Sequence, residues 1–231
     1  MRLPALCSVL VALALLTPAQ AAGPQITDPA NDANFANGQG FVNGFNNNAT
    51  PVGTQGYADV LSVQWTTLRT TKVVKRKKVT TVVGFQVQTK LSAPPTPPQG
   101  TTIVYRMLGK TPLCGFFGVA YYTTPLSDPE TPQSAIRDNC VNGTTRLTKI
   151  APPYINGSTI TWTVPLAAIP KDTKVGVGTL LTEVWFTVNE IEDFQGQKVP
   201  DQVPVYGGAT GLGLGVVDDS YPGDAAYKIG S

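Results

Sequence analysis

From Leu61 onward the chain alternates apolar and polar side chains with a period of two. Leu61, Val63 and Trp65 share one parity, against Ser62, Gln64 and Thr66. Val83, Phe85 and Val87 repeat the pattern against Gly84, Gln86 and Gln88, and Ile160, Trp162 and Val164 do so against Thr159, Thr161 and Thr163. Ile103, Tyr105 and Met107 alternate in the same way with Arg106. Successive side chains of a strand point to opposite faces, so each run predicts a strand with one face on a core and the other in water. The runs 116–122 and 175–188 carry apolar residues on both parities, which predicts central strands covered on two faces. β-Branched and aromatic residues dominate these runs, favouring strand over helix. Only residues 132–138 read as helical, for a turn or two.

The 20 prolines and 23 glycines fall mostly between the runs, at Pro94-Pro95, Pro97-Pro98, Pro152-Pro153 and Gly207-Gly208. Short strands separated by such turn signals predict an all-β fold, a two-sheet antiparallel sandwich, with no linker long enough to divide it. Residues 22–56 are Asn- and Gly-rich around Asn43-Gly44-Phe45-Asn46-Asn47-Asn48 and read as loops leading into the sandwich. Residues 57–231 form the single sandwich domain.

The N-terminus changes the compartment. Met1-Arg2, an apolar run from Leu6 to Leu16 and the small-x-small triplet Ala19-Gln20-Ala21 match a secretory leader over residues 1–21. Cys7 precedes most of the apolar run, where a lipidation site would follow it, so the expectation is soluble export with a mature chain starting near Ala22. The run is shorter than the ~20 residues a permanent span needs. Loss of Arg2 takes one from 17 Lys and Arg against 15 Asp and Glu, leaving a net charge of about +1 that offers nucleic acid no global attraction. Of three cysteines, Cys114 and Cys140 remain, and in an oxidising compartment they predict a disulfide.

The sequence contains no histidine. That excludes Ser-His-Asp and Cys-His nucleophiles, a histidine base, and histidine-held zinc, copper or haem. No serine stands in G-x-S-x-G or begins S-x-x-K. Carboxylates remain: Glu183 in a strand by pattern, with Glu190, Glu192 and Asp193 just beyond it. Two at suitable separation could cleave a glycosidic bond, but the ordinary reading is a solvated turn and an outward strand residue. Oxygen ligands for calcium are offered by Asp28, Asp32 and Asn34 near the mature N-terminus and by Asp218, Asp219 and Asp224 near the C-terminus. The competing reading of these residues is turn formation.

Lys72, Lys75, Arg76, Lys77 and Lys78 read as the tip of a hairpin between strands ending near Leu68 and beginning near Val79. Such a tip either contacts an anionic polymer or keeps a sheet end soluble. Trp65 and Trp162 sit on apolar parities and read as core, which leaves Phe116 and Tyr122 as the exposed aromatics for ligand stacking. Gly211-Leu212-Gly213-Leu214-Gly215 precedes no helix and is not a nucleotide loop.

Ile26-Thr27-Asp28-Pro29-Ala30-Asn31-Asp32-Ala33 opens the mature chain, and Ala58-Asp59-Val60-Leu61-Ser62-Val63 begins the first clear strand. Thr161-Trp162-Thr163-Val164-Pro165-Leu166 follows, then Asp218-Asp219-Ser220-Tyr221-Pro222 and Tyr227-Lys228-Ile229-Gly230. Together these resemble secreted bacterial β-sandwich domains of the DOMON-like class, which includes family 9 carbohydrate-binding modules. Asn31 stands where that class usually has glycine. The resemblance implies a jelly-roll-like sandwich, a structural calcium, and sugars or, in some branches, haem as ligands. For haem the chain offers no histidine, and after processing only Met107, whose parity is that of the core.

Three functions survive these exclusions. The leading one is a secreted, non-catalytic module that binds polysaccharide or cell-wall glycan, with no cofactor beyond a structural calcium. The alternatives are an adhesive envelope protein that binds another protein through a sheet face or edge, and a carboxylate glycosidase.

Overall fold

A computed structural model describes residues 16–18, 24–28, 30, 34–36, 51–54, 56–96, 101–123, 132–192, 214–220 and 225–231. The first half holds β1 (Leu16–Pro18), β2 (Ile26–Thr27), β3 (Asn34–Ala36), β4 (Pro51–Thr54), β5 (Val60–Val74), β6 (Lys77–Leu91) and β7 (Thr101–Lys110). The second holds β8 (Phe117–Tyr122), β9 (Ser134–Asp138), β10 (Arg146–Lys149), β11 (Tyr154–Asn156), β12 (Thr159–Pro165), β13 (Leu180–Glu192), β14 (Leu214–Ser220) and β15 (Tyr227–Lys228). Two short 3-10 turns, Leu166–Ala168 and Lys171–Thr173, follow β12.

The strands form the two antiparallel sheets of a β-sandwich, as the alternation predicts. One sheet runs β1-β5-β6-β12-β11, with β2 also on the outer edge of β5. The other runs β10-β9-β8-β7-β13-β14, with β15 joined to β13. β3 and β4 pair with each other, and β3 lies alongside β14.

The one-sided runs meet between the sheets. Trp65 stacks on Phe85 at 5.4 Å between ring centroids, and Phe85 meets Phe117 of the opposite sheet edge-on at 6.4 Å. Tyr227 closes the group, 5.7 Å from Trp65 and 6.4 Å from Phe85. Val87, Met107, Trp162, Val164 and Phe186 are wholly buried around it. Burying large apolar side chains from both faces is the main stabilising term of such a sandwich. Close strand contact needs small residues at two points. A Cβ on Gly118 would strike the Met107 carbonyl, and one on Gly84 the Val164 carbonyl.

The predicted disulfide is present. Cys114 and Cys140 join the β7–β8 connection to the end of β9, with Cα atoms 4.2 Å apart. Beside it, the buried Asp138 carboxylate accepts from the Cys140 amide at 3.1 Å and from Arg146 Nε and Nη2 at 3.1 and 3.2 Å. Arg146 Nη1 reaches on to Asp172 at 2.7 Å, and this hydrogen bond holds the Asp172 carboxyl below its ordinary value.

Four expectations are corrected. Residues 134–138 form strand β9 rather than a helical turn, because pairing with both β8 and β10 outweighs the helix preference of Ala135 and Arg137. The run 175–188 becomes strand only from Leu180; before it the chain turns through Gly176 and Gly178, the latter at φ 91°. Arg106 does not lie on a wet face but is 5% exposed, because around it the second sheet is covered on both faces, β8 and β9 being buried at every position. Tyr122 is 2% exposed for the same reason.

Candidate functional site, a cationic ribbon

β5 and β6 are each 15 residues long and pair along their whole length. Only their inner halves belong to the sandwich. β12 pairs with β6 from Gly84 to Lys90, and β1 and β2 reach β5 no further than Thr70. Beyond those points, among the described residues, the hairpin is a two-stranded ribbon that no third strand supports. Every residue from Thr71 to Thr81 is exposed.

The ribbon turns through Lys75 and Arg76, at φ 50° and 65°. Two successive residues with positive φ match the right-handed strand twist, so the strands stay paired to the tip. Cross-strand order then distributes the charge. Lys72 lies opposite Val79, Val73 opposite Lys78 and Val74 opposite Lys77. Each of these lysines thus faces a valine rather than another cation, which removes the direct like-charge penalty across the pair. One face carries Lys72 and Lys77 on one diagonal with Val74 and Val79 on the other. The other face carries Val73 and Lys78, followed by Thr71 and Thr80, whose hydroxyls lie 2.9 Å apart in a hydrogen bond. Val73, Val74 and Val79 are 69%, 51% and 46% exposed. From Val60 to Leu91 there are seven Lys and Arg and not one carboxylate.

All five cations singled out by their clustering are therefore on this ribbon. Their strands, however, run through the charged segment where the sequence suggested a loop. Lysine disfavours strands on average, and here the flanking Val and Thr on both sides outweigh it.

The other candidates are dispersed. Phe116 is half-buried beneath the Arg137 guanidinium, 5.4 Å from its ring centroid, so one face of the ring is already taken. Tyr122, buried on β8, presents no stacking surface, which corrects its assignment as a ligand platform. Trp65 and Trp162 are in the core as expected, and Trp185 is half-buried. Among the described residues the most exposed aromatic is Tyr154 on the edge strand β11, a residue that alternation does not single out.

Among the carboxylates, Glu183 sits exposed in an irregularity of β13 at φ 47° and pairs with Lys110. The backbone of Glu190 and Glu192 lies in β13, while Asp193 is outside the described residues. Of the oxygen-rich groups, Asp28 is half-buried and donates its amide to the Leu61 carbonyl at 3.0 Å. Asn34 lies in β3, and Asp218 and Asp219 lie in β14 opposite Val188 and Thr187. Because β3 runs beside β14, the fold brings the backbones of the two groups together. Asp32 and Asp224 lie outside the described residues, and the described ones form no cluster of three or more acidic or cysteine side chains suited to a metal. Met107 is wholly buried in the core.

Comparison with protein-family models, curated proteins and solved structures gives no match to this chain.

Proposed function

We propose that this is a secreted, non-catalytic binding protein whose ligand is an anionic glycan of the cell wall or extracellular matrix, taken up by the β5–β6 ribbon. The observation that carries the reading is the run of seven cations without a carboxylate from Val60 to Leu91, five of them on the exposed ribbon. A single-sign projection from a nearly neutral molecule concentrates its field where an extended polyanion can follow it. The alternating valines add apolar contact for sugar rings between the charges. Secretion is supported by the leader-like residues 1–21 and by the disulfide, which persists in oxidising compartments. Among the described residues no helix is long and apolar enough to cross a membrane. The absence of histidine and the pairing of Glu183 with Lys110 favour binding over hydrolysis.

The test is retention of Ala22–Ser231 on purified cell wall, with its phosphate-bearing polymers intact or stripped, across a salt series. Retention on the intact wall should fall as salt rises, since exposed charges are screened within about 10 Å at 0.1 M. A variant with Lys72, Lys75, Arg76, Lys77 and Lys78 all changed to Gln should not be retained. Equal retention of that variant would overturn the proposal.

A further inference from the structure

The ribbon has an edge as well as two faces, and hydrogen bonds at its base show which way that edge points. The Trp65 amide donates to Gln25 Oε1 at 2.6 Å, and the Trp65 carbonyl accepts from Gln25 Nε2 at 3.1 Å. The polar groups of Trp65 thus face away from β6, toward β2. Main-chain direction alternates along a strand, so Thr67, Arg69, Thr71 and Val73 turn their N–H and C=O groups to the same outer side. β5 stays regular over this stretch, because the register shift beyond Leu68 inserts its extra residue in β6.

β1 covers part of this edge: Leu16, Thr17 and Pro18 lie opposite Thr70, Arg69 and Leu68. Those three residues belong to the leader that the sequence predicts is removed after Ala21. The next strand, β2, pairs only with Ser62 and Val63, and the Gln25 side chain ends its reach at Trp65. Without the leader, no strand among the described residues other than β6 pairs with the seven residues from Thr67 to Val73, a ladder of about 24 Å.

We infer that this edge of β5 is a strand-acceptor site for an extended acidic peptide of a partner protein, closed by Leu16–Pro18 until the leader is removed. The seating of Leu16–Pro18 demonstrates that the edge takes an antiparallel strand. Adding a strand to a sheet edge is an established mode of peptide recognition, with main-chain hydrogen bonds supplying affinity. Charge decides the occupant. Arg69, Lys72, Lys75 and Arg76 lie on this strand and its turn, and residues 60–91 contain no Asp or Glu. A second copy would bring like charges into register and is disfavoured, whereas Asp and Glu on an incoming strand complement them. The site depends on removal of the leader and is separate from the glycan reading.

The probes are a synthetic peptide of residues 14–20 and a version carrying Ala14→Glu and Thr17→Glu, which the register of β1 on β5 sets opposite Lys72 and Arg69. The acidic peptide should bind Ala22–Ser231 and slow amide hydrogen exchange at Thr67, Arg69 and Thr71 by ~10-fold or more. The unprocessed chain Met1–Ser231 should show neither effect. Thr71→Pro deletes an outward N–H without removing a bond to β6, a substitution that edge strands tolerate; it should abolish peptide binding while slow amide exchange in the core strands is retained. If that variant does not fold, an N-methylated acidic peptide on the wild-type chain replaces it and should fail to bind. Absence of exchange protection in Ala22–Ser231, or equal binding to the unprocessed chain, overturns the inference. So does an acidic peptide that binds no more tightly than the unmodified one.

Discussion

Phe85 shows how a single side chain joins the two sheets. It is wholly buried, stacks on Trp65 of its own sheet, and touches Phe117 and Tyr227 from the other. Phe85→Ala should lower stability by about 3–5 kcal/mol, measured by denaturant unfolding, since the space left by an aromatic ring is only partly refilled. A change below about 1 kcal/mol would mean that the aromatic group does not hold the sheets together. Residues of this kind were legible from alternation alone: Trp65, Phe85, Met107 and Trp162 all point inward as their parity requires. Tyr122 and Arg106 were not. Their parity is the outer one, and what points to a covered outer face is the apolar residues on both parities of 116–122 rather than alternation.

At the scale of elements, the β5–β6 hairpin is the part whose design is least forced by the core. Its tip places Lys75 and Arg76 at positive φ, where a Cβ costs roughly 1 kcal/mol per residue and Asn-Gly is preferred. Changing Lys75→Asn and Arg76→Gly should therefore slow amide exchange in the distal strands, while retention on anionic glycan weakens. Faster exchange would show that the turn is not strained as its dihedral angles imply. Holding two cations in an unfavourable conformation at the point of greatest exposure fits a binding role, because strain is commonly kept where function needs it. Clustering made the five cations conspicuous in the sequence, and the flanking Val and Thr hinted at strands. What could not be read was that the strands continue beyond the sandwich, since that follows from where β12, β1 and β2 stop. β9 was misread for a related reason. Ser-Ala-Ile-Arg-Asp carries no alternation strong enough to outweigh its helix formers, and two neighbouring strands decide its form.

For the whole molecule, the second sheet buries tyrosines of β7, β8 and β15 inside or against the core. Burial raises the phenol of Tyr105 far above its ordinary value of 10.0, with Tyr121 and Tyr57 adding to the effect. Burial also raises Tyr121 and Tyr227, the latter partly offset by its bond to Thr67 and by Arg69. A proton held more tightly in the folded state gives stability that is complete below pH 10 and is lost as pH rises beyond it. An ultraviolet titration of the eight tyrosines should show a group that ionises late and together with loss of the fold. Smooth ionisation of all eight near pH 10 with the fold intact would contradict the buried placements. The sandwich class itself was readable because strand periodicity, turn signals and the cysteine pair agreed. The pairing order was not, since it rests on contacts between residues far apart in the chain.

The C-terminal residues carry a consequence for how the protein is made. Tyr227 lies 2.8 Å from Thr67 in a hydroxyl–hydroxyl bond spanning 160 positions, the Gly230 amide donates to Thr67 Oγ1, and Arg69 donates to the Gly230 carbonyl. β15 is at the same time paired to β13 of the other sheet. The clasp between the sheets therefore joins residues some 160 positions apart, and the base of the ribbon waits for the later of them. Contacts of such long sequence separation form slowly. A nascent chain of this design stays loose at the base of the ribbon until Tyr227 and Gly230 have been added to it.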